Sequence, residues 1–200
     1  TLFPSSRLLL PLFIGVLCVL CGEVASAQVS EIKYEANANV LKLPAGMYFG
    51  EVTGLAVNAQ KHFFVFHRSS QRSTVHGGTA AQLWEFGADG AFIREIGKDL
   101  YGFSFAHTVQ IDKQGNIWTS DEGTNMVVKF SPAGKVLLVL GRRDEAVEEA
   151  APRAPGAPFV PRWGAFNRPT DVTWDLDGNI FIADGYNNSR VVKLDKTGKW

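Results

Sequence analysis

Ile111-Asp-Lys-Gln-Gly-Asn-Ile-Trp-Thr-Ser-Asp121 and Trp174-Asp-Leu-Asp-Gly-Asn-Ile-Phe-Ile-Ala-Asp184 align without a gap, Ile111 against Trp174. The match runs on into Met126-Val-Val-Lys-Phe-Ser-Pro-Ala-Gly-Lys135 and Arg190-Val-Val-Lys-Leu-Asp-Lys-Thr-Gly-Lys199. A weaker third copy, Leu55-Ala-Val-Asn-Ala-Gln-Lys-His-Phe-Phe-Val-Phe66, precedes the second, with Leu55 set against Val109. Its later half resumes at Gln82-Leu-Trp-Glu-Phe-Gly-Ala-Asp-Gly-Ala91, after a longer loop. Every copy has one grammar: a short apolar strand, a tight turn, a second strand, a polar loop, a third strand and another turn. Gly-Asn and Ala-Asp-Gly supply the positive φ that tight hairpins require. The β-branched and aromatic enrichment predicts strands. No segment after Ala27 shows sustained helical periodicity.

Four short antiparallel strands recurring every ~40–60 residues describe a β-propeller blade. Three blades are expected, near 50–98, 100–141 and 166–200, the last stopping at the turn before its outermost strand. Propellers close with ~4–8 blades, and three would leave two open sheet edges. The expectation is an all-β chain forming the front half of a longer, six-bladed propeller. Phe166-Asn-Arg-Pro-Thr-Asp-Val172, Asp177-Gly-Asn-Ile-Phe-Ile-Ala-Asp184 and Asn188-Ser-Arg-Val-Val-Lys193 resemble NHL repeats, a resemblance that covers about Gly50 to Trp200.

The 200 residues carry 20 Lys+Arg and 20 Asp+Glu, a formal net charge of zero. That balance argues against nucleic acid, which attracts basic surfaces, and against a polybasic membrane patch. Arg7, the apolar run Leu8–Leu20 and Ala25-Ser-Ala27 read as a secretory signal peptide. The run is short for spanning ~30 Å of hydrocarbon as a helix, so an N-terminal anchor is the weaker reading and lipidation at Cys21 weaker still. Cleavage after Ala27 would remove Cys18 and Cys21, the only cysteines. The expected organisation is a signal peptide over 1–27, a lead-in over 28–49 and the propeller over 50–200, in a secreted or periplasmic protein with no stable membrane span after cleavage.

Strand alternation fixes which residues share a face. With strands lettered A to D from the axis outward, the approach to A and the B–C loop lie on one face. The A–B and C–D turns lie on the other. Arg68 follows strand B of the first blade, His107 opens strand A of the second, and Tyr186 follows strand B of the third. All three are expected on the first face, near the axis. The two longest insertions, His67 to Ala81 and Arg142 to Trp163, open there too, and long loops at one mouth are where ligands bind. Trp84, Trp118, Phe64 and Phe181 read as inter-blade core.

Phe66-His-Arg68, Ser104-Phe-Ala-His107 and Arg168-Pro-Thr-Asp-Val…Ala183-Asp-Gly-Tyr-Asn-Asn-Ser-Arg190 together resemble peptidyl-α-hydroxyglycine α-amidating lyase. That family implies a six-bladed propeller with an axial zinc, cleaving peptidyl-α-hydroxyglycine into a peptide amide and glyoxylate. The resemblance implies His107 as a zinc ligand, Arg68 as holder of the substrate carboxylate and Tyr186 as general base. It implies Leu55 and Val109 as backbone-carbonyl ligands of a structural calcium. A planar guanidinium suits a carboxylate. A phenol, with a pKa near ~10, works as a base only beside positive charge. A catalytic zinc takes three protein ligands and an open position, and the other two histidines would lie after Trp200. His62 aligns into a turn on the wrong face, His67 neighbours Arg68 and is placed behind the site, and His76 sits in a Gly-rich loop. Asn167 and Asn188 stand where the characterised animal members pair two cysteines, and Ser69-Ser70 stand where Gly-Asp is usual.

Two other readings remain open. One is a non-catalytic secreted NHL scaffold that binds a protein or peptide on the same mouth. The other is a lactonase-type hydrolase with axial calcium, disfavoured because the axial candidates are His, Arg and Tyr rather than acids and Asn.

Overall fold

The computed structural model describes residues 31–68, 81–143 and 160–200. Residues 1–27, read from sequence as a signal peptide, together with His76 and most of the two long loops, lie outside the described residues. The chain divides into two compact units, Thr1–Asn37 and Ala38–Trp200. The described part of the first, residues 31–37, is exposed and without strand or helix. No helix among the described residues is long and apolar enough to cross a membrane.

The second unit is all-β. β1 (Glu51–Val57), β2 (Phe63–Arg68), β3 (Ala81–Phe86) and β4 (Phe92–Ile96) form one sheet in that order. A second sheet is β5 (Ala106–Ile111), β6 (Ile117–Asp121), β7 (Met126–Phe130) and β8 (Val136–Gly141). β9 (Asp171–Trp174), β10 (Ile180–Asp184) and β11 (Arg190–Leu194) make the third. Every neighbouring pair is antiparallel. The edge strands β1, β5 and β9 adjoin in series, β1 against β5 and β5 against β9. These are consecutive propeller blades of NHL type, with β1, β5 and β9 innermost.

The repeat is a repeat of turns. In the first hairpin of each blade, the N–H of Asn58, Asp112 or Asp175 donates to the carbonyl four positions on, that of His62, Asn116 or Asn179. The same side chains accept through Oδ1 from the N–H groups two and four positions on. The third loop position is left-handed: Gly115 and Gly178, but Lys61 (φ 62°) in the first blade. This is the three-residue hairpin loop that ends in a left-handed residue. His62 therefore sits in an A–B turn, where its Nδ1 pairs with Glu85 at 2.8 Å.

Two apolar layers join the blades. Phe64, Phe66, Leu83 and Ile96 meet Phe103, Val109, Ile117 and Phe130 between the first two. Trp118, Val127 and Leu140 meet Phe166, Val172, Ile180 and Leu194 between the second and third. Each such fully buried side chain contributes about 1.5–3 kcal/mol. Phe64 and Trp118 fill the roles their pattern predicts. Trp84 does not: with Val65 and Phe86 it lies on the far face of the first sheet, under Leu41, Leu43, Met47 and Phe49 of the lead-in. Phe181 is half-buried beneath Lys193 rather than in a core layer.

The inner strands of the first two blades approach closely at Gly54, where a Cβ would lie 2.7 Å from the Val109 backbone nitrogen and 3.0 Å from Thr108 Cα. Neither is a flexible side-chain end, so one inner strand would have to shift. Gly54→Ala is expected to lower stability by about 1–3 kcal/mol, read from urea denaturation. Gly185→Ala, whose Cβ meets nothing within 4 Å, should change it by less than about 0.5 kcal/mol.

Candidate active site

Arg68 ends β2, His107 is the second residue of β5 and Tyr186 follows β10, all on the face opposite the hairpin turns. His107 is the residue that the β5–β6 register skips, between Ala106 and Thr108. Thr53, its equivalent in the first blade, is skipped in the same way in β1. A bulge at that point re-aims one side chain out of the strand's alternation. The His107 ring meets Tyr186 edge to face, with centroids 6.2 Å apart. Nδ1 of His107 is buried and has no hydrogen-bond partner among the described residues. Such an atom costs free energy unless something pairs with it.

Arg68 reaches the residue next to His107. Its Nε donates to the Ala106 carbonyl at 3.0 Å, and its Nη1 pairs with Glu51 at 2.8 Å. Its guanidinium carbon lies 3.4 Å from the centroid of the Phe105 ring. The partner that a cation at this position needs is thus supplied in part by the protein. Glu51 and Phe105 were not singled out from sequence. Neither adjoins Arg68 along the chain, and only the repeat offset that equates the two positions could have pointed to both.

A contact that the repeat offsets do expose holds each approach segment. Ser104 and Phe105 N–H both donate to Asp121 Oδ2 at 2.8 Å. Asn167 N–H donates to Asp184 Oδ1 at 2.8 Å. Gly50 N–H makes a longer contact, 3.4 Å, to His67 Nδ1. His67, Asp121 and Asp184 are equivalent positions at the ends of the three B strands, as are Gly50, Ser104 and Asn167 on the approaches. His67 is therefore not behind the Arg68 guanidinium. Adjacent strand residues point to opposite faces, and its ring lies against Trp84 and Phe49.

No family model matches the chain. It is 31% identical over 166 residues to a probable peptidyl-alpha-hydroxyglycine alpha-amidating lyase of Caenorhabditis elegans, covering 74% of this chain and 42% of that protein. It is 30% identical over 167 residues to peptidyl-alpha-hydroxyglycine alpha-amidating lyase 2 of Drosophila melanogaster, covering 76% and 37%. The chain is a relative of the amidating lyases. It spans less than half the length of these curated relatives. Among solved structures it is similar to a virginiamycin B lyase from Staphylococcus aureus (12% identity, TM-score 0.47, 74% of this chain and 39% of that one).

In this amidating-lyase relative, hydrogen bonds join the Tyr186 loop to its surroundings. Asn187 Nδ2 donates to Asn167 Oδ1 at 2.8 Å, and Asn188 Nδ2 to Asp184 Oδ2 at 2.6 Å. Among the described residues no group of three His, Cys, Asp or Glu gathers, so the mouth offers a metal the single imidazole of His107. Leu55 and Val109 occupy equivalent positions in β1 and β5, which Gly54 brings into close backbone contact. A cavity of about 300 Å³ opens on the opposite face, lined by Asp112, Trp118, Lys129 and Trp174 among others. Asp112 in this cavity is already occupied. Burial raises its carboxyl, but the Trp118 indole, Asn116 and Lys129 bring it below the usual range.

Burial holds the His67 imidazole below its ordinary 6.5, so the folded protein keeps it neutral. On acidification the unfolded chain takes up this proton first. Stability is therefore expected to fall as pH drops below about 6.5. Thermal melts of wild type and His67→Gln between about pH 7.5 and pH 5 check this, the variant showing the shallower decline.

Proposed function

We propose that the full-length protein is a secreted, zinc-dependent lyase that cleaves peptidyl-α-hydroxyglycine to a peptide amide and glyoxylate. Kinship with lyases of that name supports the reaction class, and the Arg7 to Ala27 segment supports secretion. The observation that carries the reading is the meeting of His107 and Tyr186 beside the carbonyl that anchors Arg68. The buried, unpaired Nδ1 of His107 fits a metal donor, with further ligands supplied from outside the described residues. A zinc ion bound there would act as a Lewis acid on a substrate oxygen. Leu55 and Val109 would offer backbone oxygens to a structural calcium, a cation that prefers such ligands.

The chain's own residues would do the rest. Arg68 would hold the substrate carboxylate, which would share or displace Glu51, a carboxylate with a 62% exposed side chain. Phe105 packs against the guanidinium and would help hold it in place. The Tyr186 oxygen would take the hydroxyl proton. The O–H electron pair then becomes the carbonyl of glyoxylate, the carbon–nitrogen bond breaks, and the departing amide nitrogen takes up a proton.

Glyoxylate release by full-length protein from a synthetic peptidyl-α-hydroxyglycine tests this. His107→Ala should lower zinc content and activity together. Tyr186→Phe should keep zinc and cut kcat by about 10²–10⁴, and Arg68→Ala should chiefly raise KM. Protein that carries no zinc, and whose turnover ignores Tyr186→Phe, would overturn the reading in favour of a peptide-binding scaffold.

A further inference from the structure

We propose that Asp121 is a positioning residue for both Arg68 and His107, acting through the approach segment 104–106. The proposal rests on the lyase reading above and names a residue which that reading does not use. Asp121 is 1% exposed. Its Oδ2 accepts both Ser104 and Phe105 N–H, and its Oδ1 accepts the N–H and the hydroxyl of Thr124. The Thr124 hydroxyl also reaches the Gly102 carbonyl at 3.1 Å. The next residue closes the loop, Glu122 N–H donating to the Phe105 carbonyl at 3.0 Å. Phe105 is thereby held at both its N–H and its carbonyl.

The clamped segment leads directly into the site. The Phe105 ring carries the Arg68 guanidinium, and the Ala106 carbonyl accepts from both Arg68 Nε and the Thr53 hydroxyl. His107 comes next, at the bulge. A carboxylate accepting two backbone N–H groups on one oxygen is a charge-assisted clamp, stronger than neutral bonds. The first blade, whose approach bears Thr53 rather than a histidine, makes do with one 3.4 Å contact to a neutral ring. Asp112 provides the internal comparison, since it clamps the hairpin turn of the same sheet on the opposite face, accepting the N–H groups of Gln114 and Asn116.

Two Asp→Asn variants of the full-length protein separate positioning from general stability. Zinc ion alone, titrated against a chromogenic chelator, is the probe, with circular dichroism and melting to confirm folding. Asp121→Asn should weaken zinc binding about 10–100-fold while Asp112→Asn stays within about twofold of wild type. Amide exchange in the unaltered protein gives a second reading: zinc should slow Ser104 and Phe105 and leave Asn167 unchanged. Zinc affinity that Asp121→Asn leaves intact, or that Asp112→Asn weakens as much, overturns the inference alone. If Asp121→Asn does not fold, absence of zinc-dependent slowing at Ser104 and Phe105 overturns it. Wild-type protein that binds no zinc overturns the functional reading and this inference with it.

Discussion

The approach to each inner strand hangs on one kind of contact, a backbone N–H donating to a side chain at the end of the neighbouring strand. Gly50 meets His67, Ser104 and Phe105 meet Asp121, and Asn167 meets Asp184. A segment just outside a ladder has N–H groups with no strand partner, and burying them unpaired is expensive. The clamp satisfies them and fixes where the inner strand begins. In the second blade that fixes the Ala106 carbonyl and the bulge at His107. The cost falls on Asp121, whose carboxyl is pushed up by burial against the pull of Ser104, Thr124 and Phe105.

The two faces of the sheet stack divide the work. On one, the same three-residue hairpin recurs, each with an Asn or Asp that ties its own backbone. Those groups are spent on local geometry, as Asp112 is on Asn116 and Trp118. On the other face the connections differ in length and residue type from blade to blade. Residues there pair across blades: Arg68 with Phe105, and Glu122 with Arg168 at 3.5 Å. Arg68 and Glu122 hold equivalent positions in successive blades yet carry opposite charges, and the repeat becomes a site by departing from itself.

Much of this was legible in the sequence because short-range rules dominate it. Gly115 and Gly178 announce left-handed turn positions, and Val-Val-Lys-Phe and Val-Val-Lys-Leu announce strands. Alternation alone brings Arg68, His107 and Tyr186 to one face. The rest depends on contacts that no local pattern encodes. His67 reads as a neighbour of Arg68 behind the site, yet it occupies the position where the other blades place a clamping aspartate. Trp84 reads as inter-blade core because it alternates correctly, but alternation cannot say that the lead-in covers that face. Lys61 holds a left-handed φ that its residue type does not advertise.

One mouth unites the buried His107 nitrogen with Arg68 and Tyr186. A crystal structure of the full-length protein with zinc, phased at the zinc absorption edge, tests it most directly. The account predicts an anomalous peak about 2.0–2.1 Å from a His107 ring nitrogen, on the face that carries Arg68 and Tyr186. A zinc bound instead in the opposite cavity beside Asp112 and Trp118, with His107 unligated, would contradict it.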